Sequence, residues 1–364
     1  MNIVIFGLTV SSSWGNGHAT LWRSLIKALL RRGHRVTFYE RDVPYYANTR
    51  DLHELGEGGT LCLYREFREI RQEAARALDR ADLGICTSYC PDGVQAADLI
   101  LESRAAIRCF YDLDTPVTLD ALAKKAPVEY LPPQGLSPFD LVLSYTGGRA
   151  LEELTTKMGA RFVAPLYGSV DPELHLPAAP RAELASTLSY LGTYAEDRQD
   201  QMTRLFLEPA MARPADRFVV GGSQYPGTIA WPANVAVIEH MPPKDHAAFF
   251  SSSVATLNIT RRAMAAYGYC PSGRLFEAAA CGATILSDRW EGLEAFFEPE
   301  TEILLVSSAD EVLAAMTRDA GELRRIGEAA RRRALREHTG EARICELEGI
   351  CKAVLESTTL PSRV

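Results

Sequence analysis

Two arginines and a carboxylate in one short stretch carry the clearest chemistry in this sequence. Between Val254 and Phe297 the chain reads VATLNITRRAMAAYGYCPSGRLFEAAACGATILSDRWEGLEAFF. Arg261 and Arg274 bracket the start of a small-residue helix expected over about Arg274–Ala280. Guanidinium forks match phosphate oxygens, and the first turn of a helix offers free N–H groups and a positive pole. Glu277, one turn further in, is placed to accept hydrogen bonds from sugar hydroxyls. Asn258, Ser272 and Asp288 add polar groups around the same point. A diphosphate flanked by a ribose fits this set.

The elements that must position these groups are legible around them. Val254–Leu257 is an apolar run that reads as a buried strand, and Thr284–Leu286 reads as a second one, ending at Asp288. The segment from Asn258 to Ser272 reads as a polar loop. Cys281-Gly282 ends the helix, with Gly282 suited to a left-handed cap. Such a strand–loop–helix–strand unit sets the helix N-terminus just beyond the carboxyl edge of a sheet.

The string Ser-x-Arg-x-Phe-Glu-Ala-Ala-Ala-Cys-Gly, followed by Asp288 and Gly292, resembles the donor-site signature of GT-B glycosyltransferases. Within them it is most similar to the CgeB-type, spore-maturation-protein-like family. The resemblance covers nearly the whole chain and is strongest from Leu191 to Phe297. It implies an α/β fold of two Rossmann-like parallel-sheet domains facing across a cleft. It also implies transfer from a nucleoside-diphosphate sugar, UDP-sugar favoured, to a hydroxylated acceptor, with no metal and no resident cofactor. By the same resemblance Glu277 binds the nucleotide ribose, and the loop of Gly192 and Thr193, with Arg198 after it, lies against the donor phosphate. The same resemblance implies a base-pocket place for His240, with a loop histidine of no role as the alternative. Many retaining relatives carry a further Glu eight positions before Glu277, where this chain has Tyr269. The stereochemical class is therefore open.

The second set of candidate residues lies in the N-terminal half. GLTVSSSWGNGHAT joins the first strand to the first helix; its Gly7, Gly15 and Gly17 do not fit G-x-G-x-x-G. Glu40 ends the second strand, where a dehydrogenase would hold its NAD ribose, but the phosphate-binding spacing is wrong. A long polar loop with Trp14, Asn16 and Gly17 suits an acceptor instead. His18 is a base, a phosphate contact or simply an early helix residue. Asp112 and Asp114 form a D-x-D pattern at a strand end, with Thr115 expected as the cap of the following helix and Pro116 in its first turn. In a GT-B chain that pattern is expected to hold no metal, and Asp114 is the better candidate for a cleft carboxylate. His18 and Asp114 are thus the catalytic candidates. Two rival functions stay open, a sugar-nucleotide epimerase on the same fold and a catalytically silent spore or surface-layer protein.

Length and composition set the frame. At 364 residues the chain exceeds one comfortable core. Strand and helix patterns alternate, as in parallel sheets. The expected division is an acceptor-side domain over 1–170, a proline-rich linker over 171–185, a donor domain over 186–338, and a last helix over 339–364 returning to the first domain. A formal net charge of −8 disfavours a nucleic-acid partner. Six arginines between Arg324 and Arg336 are expected to form the solvated face of an amphipathic helix, so membrane association is peripheral at most. No apolar run approaches 18 residues. Eight scattered cysteines without a zinc pattern fit a reduced, cytoplasmic protein.

Overall fold

The computed structural model describes residues 1–15 and 17–359. They divide into two units: Met1–Ser13, Gly17–Tyr167 and the chain from Gly340 onward form the first, and Trp14 with Gly168–Thr339 the second.

The first unit holds a seven-stranded parallel sheet. Its strands are β1 (Asn2–Gly7), β2 (Arg35–Arg41), β3 (Gly59–Tyr64), β4 (Leu83–Thr87), β5 (Ile107–Asp112), β6 (Leu141–Ser144) and β7 (Val163–Pro165). Their spatial order is β3-β2-β1-β4-β5-β6-β7, so the winding reverses between β1 and β4. Both faces are buried, which explains the unbroken apolar strands. Along β1, Ile3 and Ile5 pack with Trp22, Phe38 and Ile85 on one side, while Val4 and Phe6 pack with Tyr39, Phe67 and Phe110 on the other. The terminal helix Gly340–Thr359 closes the first of these clusters with Ile344, Leu347, Cys351 and Val354. Glu348 on that helix pairs with Arg32 at 2.7 Å and His34 at 2.9 Å.

The second unit holds a six-stranded parallel sheet: β8 (Ser186–Leu191), β9 (Phe218–Gly221), β10 (Val235–Ile238), β11 (Ser253–Asn258), β12 (Ile285–Ser287) and β13 (Leu304–Leu305). Its order is β10-β9-β8-β11-β12-β13, with the reversal between β8 and β11. In open sheets of this kind ligands bind beyond the carboxyl ends of the strands at the reversal point. Helix Ala320–Glu337 buries Leu323, Ile326, Ala330 and Ala334 and exposes Arg324, Arg325, Arg332 and Arg336. Gly327 on this helix presses so close to Gly282 that an added Cβ would stand 2.4 Å from the Gly282 carbonyl oxygen. Gly282 itself has φ +75°, the left-handed cap its position demanded.

Three local expectations are corrected. The segment between β11 and the Arg274 helix is not all loop: Arg262–Tyr267 forms a short helix, as its alanines and methionine favour, and Gly268 at φ +69° ends it. The cap position before helix Thr115–Ala123 is Asp114, one residue earlier than expected, with Thr115 already helical. β7 has no counterpart in the sequence reading, because three residues with one buried side chain leave too short a pattern.

Candidate functional site

In the first unit, Asp114 follows β5 and His18 opens helix His18–Arg31, which follows β1. The fold brings the two together: His18 Nε2 lies 3.0 Å from Asp114 Oδ2. A carboxylate oxygen there accepts the Nε2 proton and leaves Nδ1 as the lone-pair nitrogen. That Nδ1 is buried and has no hydrogen-bond partner among the described residues. The Tyr89 ring meets the imidazole edge-on at 5.8 Å, on a backbone held at φ +59°. Asp112, by contrast, points into the protein. It is fully buried, its Oδ1 accepts the Asp114 N–H at 3.1 Å, and its Oδ2 has no hydrogen-bond partner among the described residues. The two carboxylates of the D-x-D pattern therefore serve different neighbours.

The first part of the loop leading to His18, Thr9–Ser11, is fixed by Glu40. This carboxylate is 0% exposed and accepts Thr9 Oγ1 (2.8 Å), Val10 N (2.7 Å), Ser11 N (3.0 Å) and Ser11 Oγ (2.5 Å). No oxygen is left for a cofactor ribose, which removes the physical basis of the dehydrogenase reading. Gly17 occupies the helix cap position, and a Cβ there would meet nothing within 4 Å. Trp14 groups with the second unit, its ring 4.5 Å from that of His240. Asn16 lies outside the described residues.

In the second unit the donor candidates follow the carboxyl ends of several strands: Gly192 and Thr193 after β8, His240 after β10, Arg261 after β11 and Asp288 after β12. Gly192 follows β8; Gly222, at φ +158°, lies so close that a Cβ on it would stand 1.9 Å from the Gly192 carbonyl oxygen. Arg198 donates to the Thr193 carbonyl, and Arg261 Nε lies 3.4 Å from Asp197. Asn258 ends β11 and donates to Ser287 Oγ at 3.1 Å. Asp288 accepts both the N–H (3.0 Å) and the hydroxyl (2.9 Å) of Thr260, pinning the turn that presents Arg261. Burial raises the Asp288 carboxyl to about 6 against these hydrogen bonds.

Ser272 caps helix Gly273–Ala280, accepting the Arg274 N–H at 3.3 Å. Arg274 curls back over the first turn, its Nη1 lying 2.5 and 2.6 Å from the two oxygens of Glu277. Glu277 is only 4% exposed, and Oε2 also accepts from His246 Nδ1 at 2.9 Å. Burial alone would raise this carboxyl; Arg274, then His246 and His175, overcome it and hold the group well below the usual range. The carboxylate expected to face a ribose is thus turned onto protein groups.

Among the described residues, His175, His246 and Glu277 are the one set spaced closely enough to hold a metal ion. Neither histidine was singled out from the sequence. They lie 71 positions apart, His175 in the bend after Asp171-Pro172 and His246 at the start of helix His246–Ser251, and no spacing rule joins them.

Residues 198–349 match the model of a family described as "Glycosyl transferase-like". Among curated proteins, none matches the sequence. Solved structures align over almost the whole chain. Sucrose-phosphate synthase from Thermosynechococcus elongatus superposes with TM-score 0.68 and 16% identity, over 98% of this chain and 99% of that one. An alpha-glucosyltransferase in complex with UDP-glucose and DNA containing an abasic site gives 0.72 and 13%, over 97% and 99%. Anabaena HepE in complex with UDP and glucose gives 0.65 and 12%, over 97% and 100%. The fold is GT-B. The stretch matched by the family model, residues 198–349, contains every donor candidate except Gly192 and Thr193.

Asp112 gives the GT-B N-terminal unit a pH signature. Burial raises its carboxyl to about 6, above the ~3.9 of an unfolded aspartate. Folding therefore favours the protonated form. The contribution is fully present below about pH 4 and is lost as pH rises through 6. Asp112→Asn is expected to stabilise the protein by about 1–3 kcal/mol at pH 8 and by nothing at pH 4. Thermal unfolding of both proteins across that range measures it; a difference that does not change with pH would remove Asp112 as the titrating group.

Proposed function

We propose that this GT-B protein transfers a sugar from a nucleoside-diphosphate sugar to a hydroxylated acceptor without a metal ion, and that its kinship is with the CgeB-type family. The observation that carries the reading is the placement of Arg274, on the first turn of helix Gly273–Ala280, at the reversal point of a glycosyltransferase-like domain. As the sugar–phosphate bond breaks, charge grows on the leaving diphosphate. Arg274, Arg261 and the helix pole are the groups that stabilise it. UDP is the first nucleotide to test, since HepE and the alpha-glucosyltransferase were solved with UDP or UDP-glucose.

The acceptor meets the His18–Asp114 pair, whose free Nδ1 takes the hydroxyl proton as the new glycosidic bond forms. A ligand hydroxyl also supplies the hydrogen bond that this buried nitrogen otherwise goes without. The net charge of −8 speaks against DNA as the acceptor. Eight free cysteines, six of them buried, fit a reducing compartment such as the cytoplasm. Among the described residues no helix is long and apolar enough to cross a membrane.

Incubation with a panel of sugar nucleotides, with and without hydroxylated acceptors, tests the proposal. Nucleotide release that depends on acceptor supports transfer. An isomerised donor without acceptor makes the protein an epimerase, and no turnover with any pair favours a silent surface component. Activity is also expected to be unchanged by EDTA, because arginines carry the leaving-group charge. Activity lost in EDTA and restored by Mn²⁺ would overturn the metal-independent reading.

A further inference from the structure

Glu277 and His246 lie beneath Arg274 as a buried chain of hydrogen bonds that begins at the backbone. The Met241 carbonyl accepts from His246 Nε2 at 3.1 Å, and His246 Nδ1 donates to Glu277 Oε2 at 2.9 Å. Both Glu277 oxygens then accept from Arg274 Nη1. The His246 and Glu277 side chains are 2% and 5% exposed, whereas that of Arg274 is 30% exposed. Only the last member of the chain is open to a ligand. We propose that Glu277 and His246 are positioning residues that hold the Arg274 guanidinium toward the donor diphosphate, and that Glu277 does not touch the ribose. The inference rests on the donor site proposed above and assigns its buried members a different task.

Planarity makes the arrangement effective. With Nη1 tied inward to a carboxylate, the rigid guanidinium presents its remaining N–H edge in a fixed direction. A long side chain ordered before the ligand arrives loses less freedom on binding. The paired carboxylate is itself held by His246, so the whole assembly is anchored to the turn at Met241.

A metal ion is the competing occupant. His175 Nε2 stands 3.8 Å from Glu277 Oε2, and neither His175 nitrogen has a hydrogen-bond partner among the described residues. Two histidines and a carboxylate suit zinc. Here, however, both carboxylate oxygens already hold a guanidinium, and a dication placed beside it would meet strong repulsion in a buried setting.

Calorimetry with UDP and UMP on the wild type, E277Q, R274A and the double variant tests the proposal. E277Q is expected to weaken UDP about tenfold or more in the wild-type background and less than about twofold beside R274A. UMP, lacking the second phosphate, should change little across the set. 2′-Deoxy-UDP should lose the same factor in the wild type and in E277Q. Should E277Q not fold, H246N enters the same cycle with the same expectation. Additive losses, a deoxy penalty that disappears in E277Q, or one equivalent of zinc in the wild type that is absent from E277Q would each overturn the positioning role. A wild type that binds none of UDP, ADP and GDP fails earlier: it overturns the donor reading, and this inference with it.

Discussion

Replacing His18 by alanine is expected to lower kcat by about 10²–10⁴-fold, the range for loss of a general base. Donor KM should stay nearly constant, because the imidazole acts on the acceptor proton and not on the bound nucleotide. Asp114→Asn should fall between the two proteins. An amide can still occupy the space 3.0 Å from Nε2, but it no longer selects the tautomer that leaves Nδ1 free. Steady-state kinetics with donor and acceptor varied separately decides the matter. If His18→Ala raises donor KM and spares kcat, the histidine is a binding contact. If neither constant moves, the pair serves the fold alone and the base must be sought elsewhere.

The His18–Asp114 pair shows how far the sequence reading reaches. Both residues stand at strand-to-helix junctions, and an alternating pattern of apolar strands places such junctions along one edge of a sheet. Their common edge was therefore legible; their 3.0 Å contact was not, because it depends on the order β1-β4-β5 across the sheet. The donor helix was legible for a similar reason, since a small-residue face and a terminal glycine lie within one short string. What escaped was the partner of Glu277. A carboxylate one turn into a helix reads as exposed until its cover is known. That cover comes from His246, which opens helix His246–Ser251, 31 residues earlier, and nothing local connects the two. The same holds for Glu40, which the sequence left without a role once the dehydrogenase spacing failed and which the fold turns onto a loop of serines and threonine.

Glu40→Leu is expected to destabilise the protein by about 3–5 kcal/mol, among the larger effects of any single change here. The reason lies in what is left behind. Two backbone N–H groups, of Val10 and Ser11, and two hydroxyls, of Thr9 and Ser11, lose their acceptor in a fully buried place. Glu40→Gln keeps one oxygen but turns an N–H₂ toward those donors, so about 1–3 kcal/mol is expected. The loop has further ties: Arg23 Nε donates to the Val10 carbonyl at 2.9 Å, and Ser13 donates to Asp51 at 2.6 Å. It should consequently loosen without leaving its place. Because this loop runs straight into His18, Glu40→Gln should also lower kcat, and the two effects can be separated. In the His18→Ala background the loss of stability should persist while the further loss of kcat disappears. Chemical denaturation and kinetics on the four proteins test this. An unchanged unfolding midpoint in Glu40→Gln would mean that water replaces the lost bonds. A kcat loss that persists without His18 would mean that Glu40 acts on some other group.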